Sequence, residues 1–112
     1  MLNTFLALKS DLFVDQSDVY YKQVTLKDTA GVAINLTGYT LVCTIKKYEG
    51  VSSSACAVTV TPITPASGLF SINIALTEAA KLNRPRYAYN IVATSGSDVA
   101  TIMYGSVIVT NF

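Results

Sequence analysis

Apolar and polar side chains alternate with a period of two along most of this chain, the pattern of half-buried strands. In YTLVCTIKKY (residues 39–48) Leu41, Cys43 and Ile45 fall on one face and Thr40, Thr44 and Lys46 on the other. CAVTVTP (56–62) puts Cys56, Val58 and Val60 inward, until Pro62, Pro65 and Ser67-Gly68 break it. LFSINIAL (69–76) sets Phe70, Ile72, Ile74 and Leu76 against Ser71 and Asn73, and YAYNIVAT (87–94) gathers Tyr87, Tyr89, Ile91 and Ala93. VYYKQVTLK (19–27), VATIMY (99–104) and SVIVT (106–110) complete the strands, with Gly105 as a bulge or bend between the last two. FLALK (5–9) is a further strand or an arm. Turn residues punctuate the runs: Asp28-Thr29-Ala30-Gly31, the polar EGVSSSA loop (49–55) and a tight hairpin at Ser95-Gly96-Ser97-Asp98.

One segment reads as helix. In TEAAKLN (77–83) Thr77 can cap, Glu78 suits the first turn, and Asn83 and Pro85 stop the run after a turn or two. About seven strands spaced by about 8 to 12 residues are the pattern of a two-sheet antiparallel sandwich. The expected organisation is an N-terminal arm or edge strand over 1–14 and one sandwich domain over 15–112, with a short helical turn near 77–82. The expected core contains Leu41, Ile45, Val58, Phe70, Ile72, Ile74, Tyr89 and Ile91. A crossing helix followed by a strand that opens on Tyr resembles the corner between the E and F strands of immunoglobulin-like folds. There a Tyr hydroxyl bonds back to upstream backbone, a part open to either Tyr87 or Tyr89.

Charged residues are 13% of the chain, against about 25% in an average soluble domain. An uncharged, alternating surface suits contact with other protein, and an ordinary monomer with a Ser/Thr surface is the plainer alternative. Net charge is +1, with Lys46-Lys47 and Arg84/Arg86 the only basic pairs, so no basic stripe for nucleic acid is present. No apolar run approaches the roughly 20 residues of a spanning helix. The start, MLNTFLALKSDLF, has neither a basic leader nor a small-residue cleavage site, which predicts synthesis in a cytoplasm and free, core-packed thiols at Cys43 and Cys56.

Candidate chemistry is sparse. Histidine is absent, the glycines are dispersed, and no Gly-x-Ser-x-Gly occurs. Asp15 and Asp18 are close enough in sequence to join a calcium site, but no further carboxylate is tied to them by spacing, and solvated turn residues are the simpler reading. Two cysteines without His or a CxxC do not make a zinc site. Neither a catalytic group, a metal site nor a cofactor is expected. The seven tyrosines could line a sugar-binding face, although Trp is absent. Tyr20 and Tyr21 are adjacent in a strand and must face opposite ways, so one of them is outside the core and is a candidate interface anchor.

The order VTLKD, turn, INLTGYTL, then PASGLFSINIALTEAAKLNRPRYAYNIVAT and a C-terminal GSVIVT resembles small immunoglobulin-like structural proteins of tailed bacteriophages. It is also similar to the N-terminal domain of phage upper-baseplate proteins. The shared positions are Asn35-Leu36-Thr37-Gly38, Gly68, Leu76-Thr77, Leu82, Tyr87 and Gly105; Asn35 replaces an acid, and Arg86 replaces a Gly before the Tyr. The resemblance implies a non-enzymatic virion component, made in the host cytoplasm. Such a component serves as adaptor or decoration in a baseplate or tail, neck or capsid. Its partners would be other virion proteins or further copies of itself, without nucleic acid or membrane. The alternatives are a carbohydrate- or receptor-binding module of the virion and a cellular adhesion domain. Uncharged GSVIVTNF and NTFLAL predict docking termini anchored by Phe5, Leu6 and Phe112, unless these two segments pair with each other inside the sandwich.

Overall fold

The structure is a computed structural model that describes residues 7–28, 30–48 and 54–110. Phe5, Leu6 and Phe112 lie outside the described residues, as does most of the 49–55 loop. Eight strands are present among the described residues, against the about seven that the alternation predicts. They are β1 (Leu8–Lys9), β2 (Leu12–Asp15), β3 (Tyr20–Thr25), β4 (Thr40–Lys46), β5 (Thr59–Thr64), β6 (Leu69–Ile74), β7 (Arg86–Ser95) and β8 (Asp98–Thr110). The count differs for two reasons. Residues 8–15 supply two short strands. The runs on either side of Gly105 are continuous in β8, because Gly105 stays in the ladder opposite Tyr89.

The strands form two sheets. The larger has the order β1-β8-β7-β4, with β2 also on β8; the smaller is β3-β6-β5. Neighbours are antiparallel except at one edge, where β1 and β2 run parallel to β8. The wholly antiparallel expectation therefore fails at this edge. A short hairpin would force antiparallel pairing, but almost the whole chain separates β2 from β8 and leaves the direction free. Leu12 lies opposite Val107 and Val14 opposite Val109, and all four side chains are buried. Residues 103–110 thus have their outer edge covered by the chain's own residues 8–15; of NTFLAL only Ala7 and Leu8 are described, and Leu8 lies opposite Met103.

One core lies between the sheets. Leu41, Cys43 and Ile45 of β4 and Tyr87, Tyr89, Ile91 and Ala93 of β7 meet Phe70, Ile72 and Ile74 of β6. Each large side chain removed from water here stabilises the fold by about 1.5 to 3 kcal/mol. Val58 is only half-buried, because it precedes the edge strand β5. Ser71 is buried although it faces away from the core: β6 is the middle strand of its sheet, and Gln23 and Thr61 flank Ser71 on both sides.

Two local features depart from expectation. β5 runs through Pro62 to Thr64 with a register shift, which an edge strand tolerates because no second neighbour needs the missing N–H. The helix α1 (Leu76–Ala79) begins one residue before Thr77, with Ala75 at the cap position and no side-chain cap. Leu82, just beyond it, is fully buried and ties the turn to the core. Gly68 has φ +71° and ends a 3-10 turn; a side chain there would meet the Leu26 carbonyl at 2.6 Å.

Candidate functional site

The residues that can meet a partner are those the fold does not consume. Tyr20 is half-buried against the core, and burial raises its pKa, as does the Cys43 thiol beside it. Tyr21 is the outward member of the pair, 56% exposed, and its hydroxyl accepts a hydrogen bond from Gln23 Nε2 at 3.0 Å. Tyr87 holds the corner after α1: its hydroxyl accepts the Asn83 backbone N–H at 2.9 Å and donates to Asn83 Oδ1 at 3.3 Å. Tyr89, the other candidate for that role, donates instead to the Ser10 carbonyl and so pins the kink between β1 and β2 to β7.

The described Asp and Glu side chains each accept a hydrogen bond within the chain. Asp15 accepts the backbone N–H of Ser17, Asp18 that of Val19, and Asp28 those of Ala30 and Val32. Asp11 accepts the Ser106 N–H at 3.0 Å, and Asp98 accepts the Tyr39 hydroxyl. Glu78 accepts the Ala57 N–H at 2.8 Å and pairs with Lys81; these two contacts lower its pKa. Asp15 and Asp18 thus cap their own turn. Cys43 and Cys56 are free and buried, and burial pushes their thiols up to about 12 and about 11, so both stay protonated and inert at neutral pH.

The outer face of the larger sheet is different. Register places its side chains in rows across β2, β8, β7 and β4. One row is Phe13, Ile108 and Arg86; the next is Ser106, Ala88 and Lys46; then come Tyr104, Asn90 and Thr44. Thr101 and Val92 with Val42, then Val99 and Thr94 with Thr40, complete it. Apolar side chains stand in water on this face: Phe13 is 67% exposed, Val99 59% and Val42 53%.

A depression of about 340 Å³ opens in the middle of this face, lined by Thr44, Lys46, Ala88, Asn90, Thr101 and Tyr104 together with Tyr89. Its origin is a β-bulge. Ile91 pairs with Met103 and Val92 with Thr101, so Ile102 has no partner and both Ile102 and Met103 turn into the core. The outward residues of β8 are then three apart, Thr101 and Tyr104, instead of two. A side chain is missing from the face at that point, and small Ala88 beside it deepens the gap. Among the described residues no hydrogen bond or ion pair engages the side chains of Lys46, Asn90 or Tyr104.

Sequence reasoning did not single out Phe13, Ile108 or the depression. Phe13 follows only once residues 12–14 are known to be a strand, where it must point away from Leu12 and Val14. The depression carries no signal in the sequence, because it depends on a bulge between two apolar residues. No protein-family model matches the chain, and no curated protein matches it in sequence.

Proposed function

We propose that this chain is a non-enzymatic, immunoglobulin-like contact module of a tailed-phage virion, an adaptor or decoration in its baseplate or tail, neck or capsid. The strand order supports the immunoglobulin-like reading: β3-β6-β5 against β4-β7-β8 has the arrangement of strands B, E and D against C, F and G. Tyr87 stands where that fold carries its corner tyrosine, one residue into the strand after the crossing helix. The sequence motifs given above support the phage reading.

The observation that carries a contact role is the Phe13 end of the larger sheet. A Phe exposed to two-thirds of its surface, beside Ile108 and with Arg86 in the same row, has the aromatic–aliphatic–Arg composition of an interface centre. A protein neighbour, either another virion protein or a further copy of this chain, would cover it. Mass spectrometry of purified particles tests the reading. The chain is expected in the particle at a fixed ratio to the other structural proteins; its absence from particles while it accumulates in the host would contradict it.

A second reading, a carbohydrate- or receptor-binding module of the virion, is favoured by one observation, the depression around Asn90 with its unengaged polar side chains.

A further inference from the structure

We infer that the Asn90 depression is a saccharide site selective for sugars that carry a carboxylate, an inference that rests on the carbohydrate reading and is independent of where the chain sits in a virion. Asn is a poor strand former, yet Asn90 occupies the middle of β7, which is paired on both sides, at a position where Val or Thr would favour the fold. Its amide offers two donors and an acceptor, and no group among the described residues uses them. Such an amide matches adjacent sugar hydroxyls, which both donate and accept. Tyr104, 39% exposed, lines the depression on the β8 side, and the negative face of an aromatic ring suits the C–H edge of a sugar. Thr44 and Thr101 add hydroxyls at the rim. The volume of about 340 Å³ lies in the range of small-ligand sites.

Charge selects among sugars. Lys46 lines the depression, is half-buried, and has no ion-pair partner among the described residues. Lys9 lies beside Tyr104 in register and Arg86 is two residues from Ala88 on the same face. Among the described residues no Asp or Glu lines the site, and the nearest acid by register, Asp11, already accepts the Ser106 N–H. An anionic group is therefore attracted and a cationic one repelled.

The backbone distinguishes a sugar from a peptide. Extended peptides bind by adding main-chain hydrogen bonds to a free sheet edge. Here the floor is β7, whose backbone is paired with β4 on one side and β8 on the other. Only side chains face the ligand, which suits a ligand rich in hydroxyls.

The test is an NMR titration of the full chain with methyl β-D-glucuronide and methyl β-D-glucoside, which differ at the carboxylate, and with sodium acetate as a bare anion. Saturable shifts at Ala88, the Asn90 amide and Tyr104 are expected, with Kd for the glucuronide about threefold to fivefold lower than for the glucoside, the range for one exposed charge pair. Lys46→Met should erase that difference. Asn90→Thr, which replaces the amide by a good strand former, should abolish both titrations while the circular dichroism spectrum is unchanged. Equal affinity for the two glycosides would overturn the charge selectivity and leave the carbohydrate reading standing. Acetate reproducing the glucuronide shifts would overturn saccharide recognition in favour of a plain anion site. No saturable shift with either glycoside would overturn both.

Discussion

Leu12 and Phe13 are neighbours in one short strand, yet Leu12 is wholly buried and Phe13 is 67% exposed. The same contrast runs across the whole five-stranded sheet. Its inner face carries Leu41, Ile45, Tyr89, Ile91 and Val107, all closed from water by the opposite sheet and the turns around it. Its outer face carries Phe13, Ile108, Asn90 and Tyr104 alongside the threonines expected of a solvated strand. Packing accounts for every residue of the inner face. It does not account for Phe13, Val42 and Val99, which stand more than half exposed. The inner face thus reports why the chain folds, and the outer face carries the contact surface proposed above.

Substitutions that cross this divide should separate stability from function. The largest loss is expected for Leu12→Ala, about 2 to 5 kcal/mol by the usual cost of emptying a buried leucine site, measured by denaturant unfolding. A loss below about 0.5 kcal/mol would show that the first strands are an appendage and not part of the core. Gly105→Ala comes next. Its added carbon would lie 2.3 Å from the Ser10 carbonyl oxygen, so the kink between β1 and β2 must move off β8. About 1 to 3 kcal/mol should be lost, with hydrogen exchange accelerated in residues 8–15; unchanged exchange there would refute the close approach. Tyr87→Phe removes the hydroxyl that satisfies the Asn83 N–H and should cost about 1 kcal/mol. If it costs nothing, the corner is not held by that bond.

Sequence alone makes much of the inner face legible. The alternation in residues 39–48, 69–74 and 87–94 names the buried side of β4, β6 and β7 through a clean period of two, and fails at Leu76, which opens α1 and is 49% exposed. Ser71 escapes this logic, since a strand in mid-sheet is covered on both sides. β2 escapes it for another reason: four residues hold too few repeats to show a period, and its parallel partner lies at the far end of the chain. The outer face is legible only at single positions. On the smaller sheet, strand geometry puts one of Tyr20 and Tyr21 outside without saying which; on the larger, Tyr104 and Asn90 read as ordinary outward residues until the bulge at Ile102 opens the space between β4, β7 and β8. A phase slip between two apolar residues leaves no trace in their order, so the depression had no sequence signal.

The most direct measurement is incorporation of Phe13→Asp into particles, with Val32→Asp as the matched control. Both residues are exposed apolar side chains, 67% and 61%, but Val32 lies in the turn after β3, away from the larger sheet. Both variants should keep their unfolding free energy within about 0.5 kcal/mol of the parent, as surface changes do. The account predicts that Val32→Asp enters purified particles at the parent level and that Phe13→Asp, folded and soluble, is missing from them. Parent-level incorporation of Phe13→Asp would contradict the claim that this end of the sheet is the contact surface.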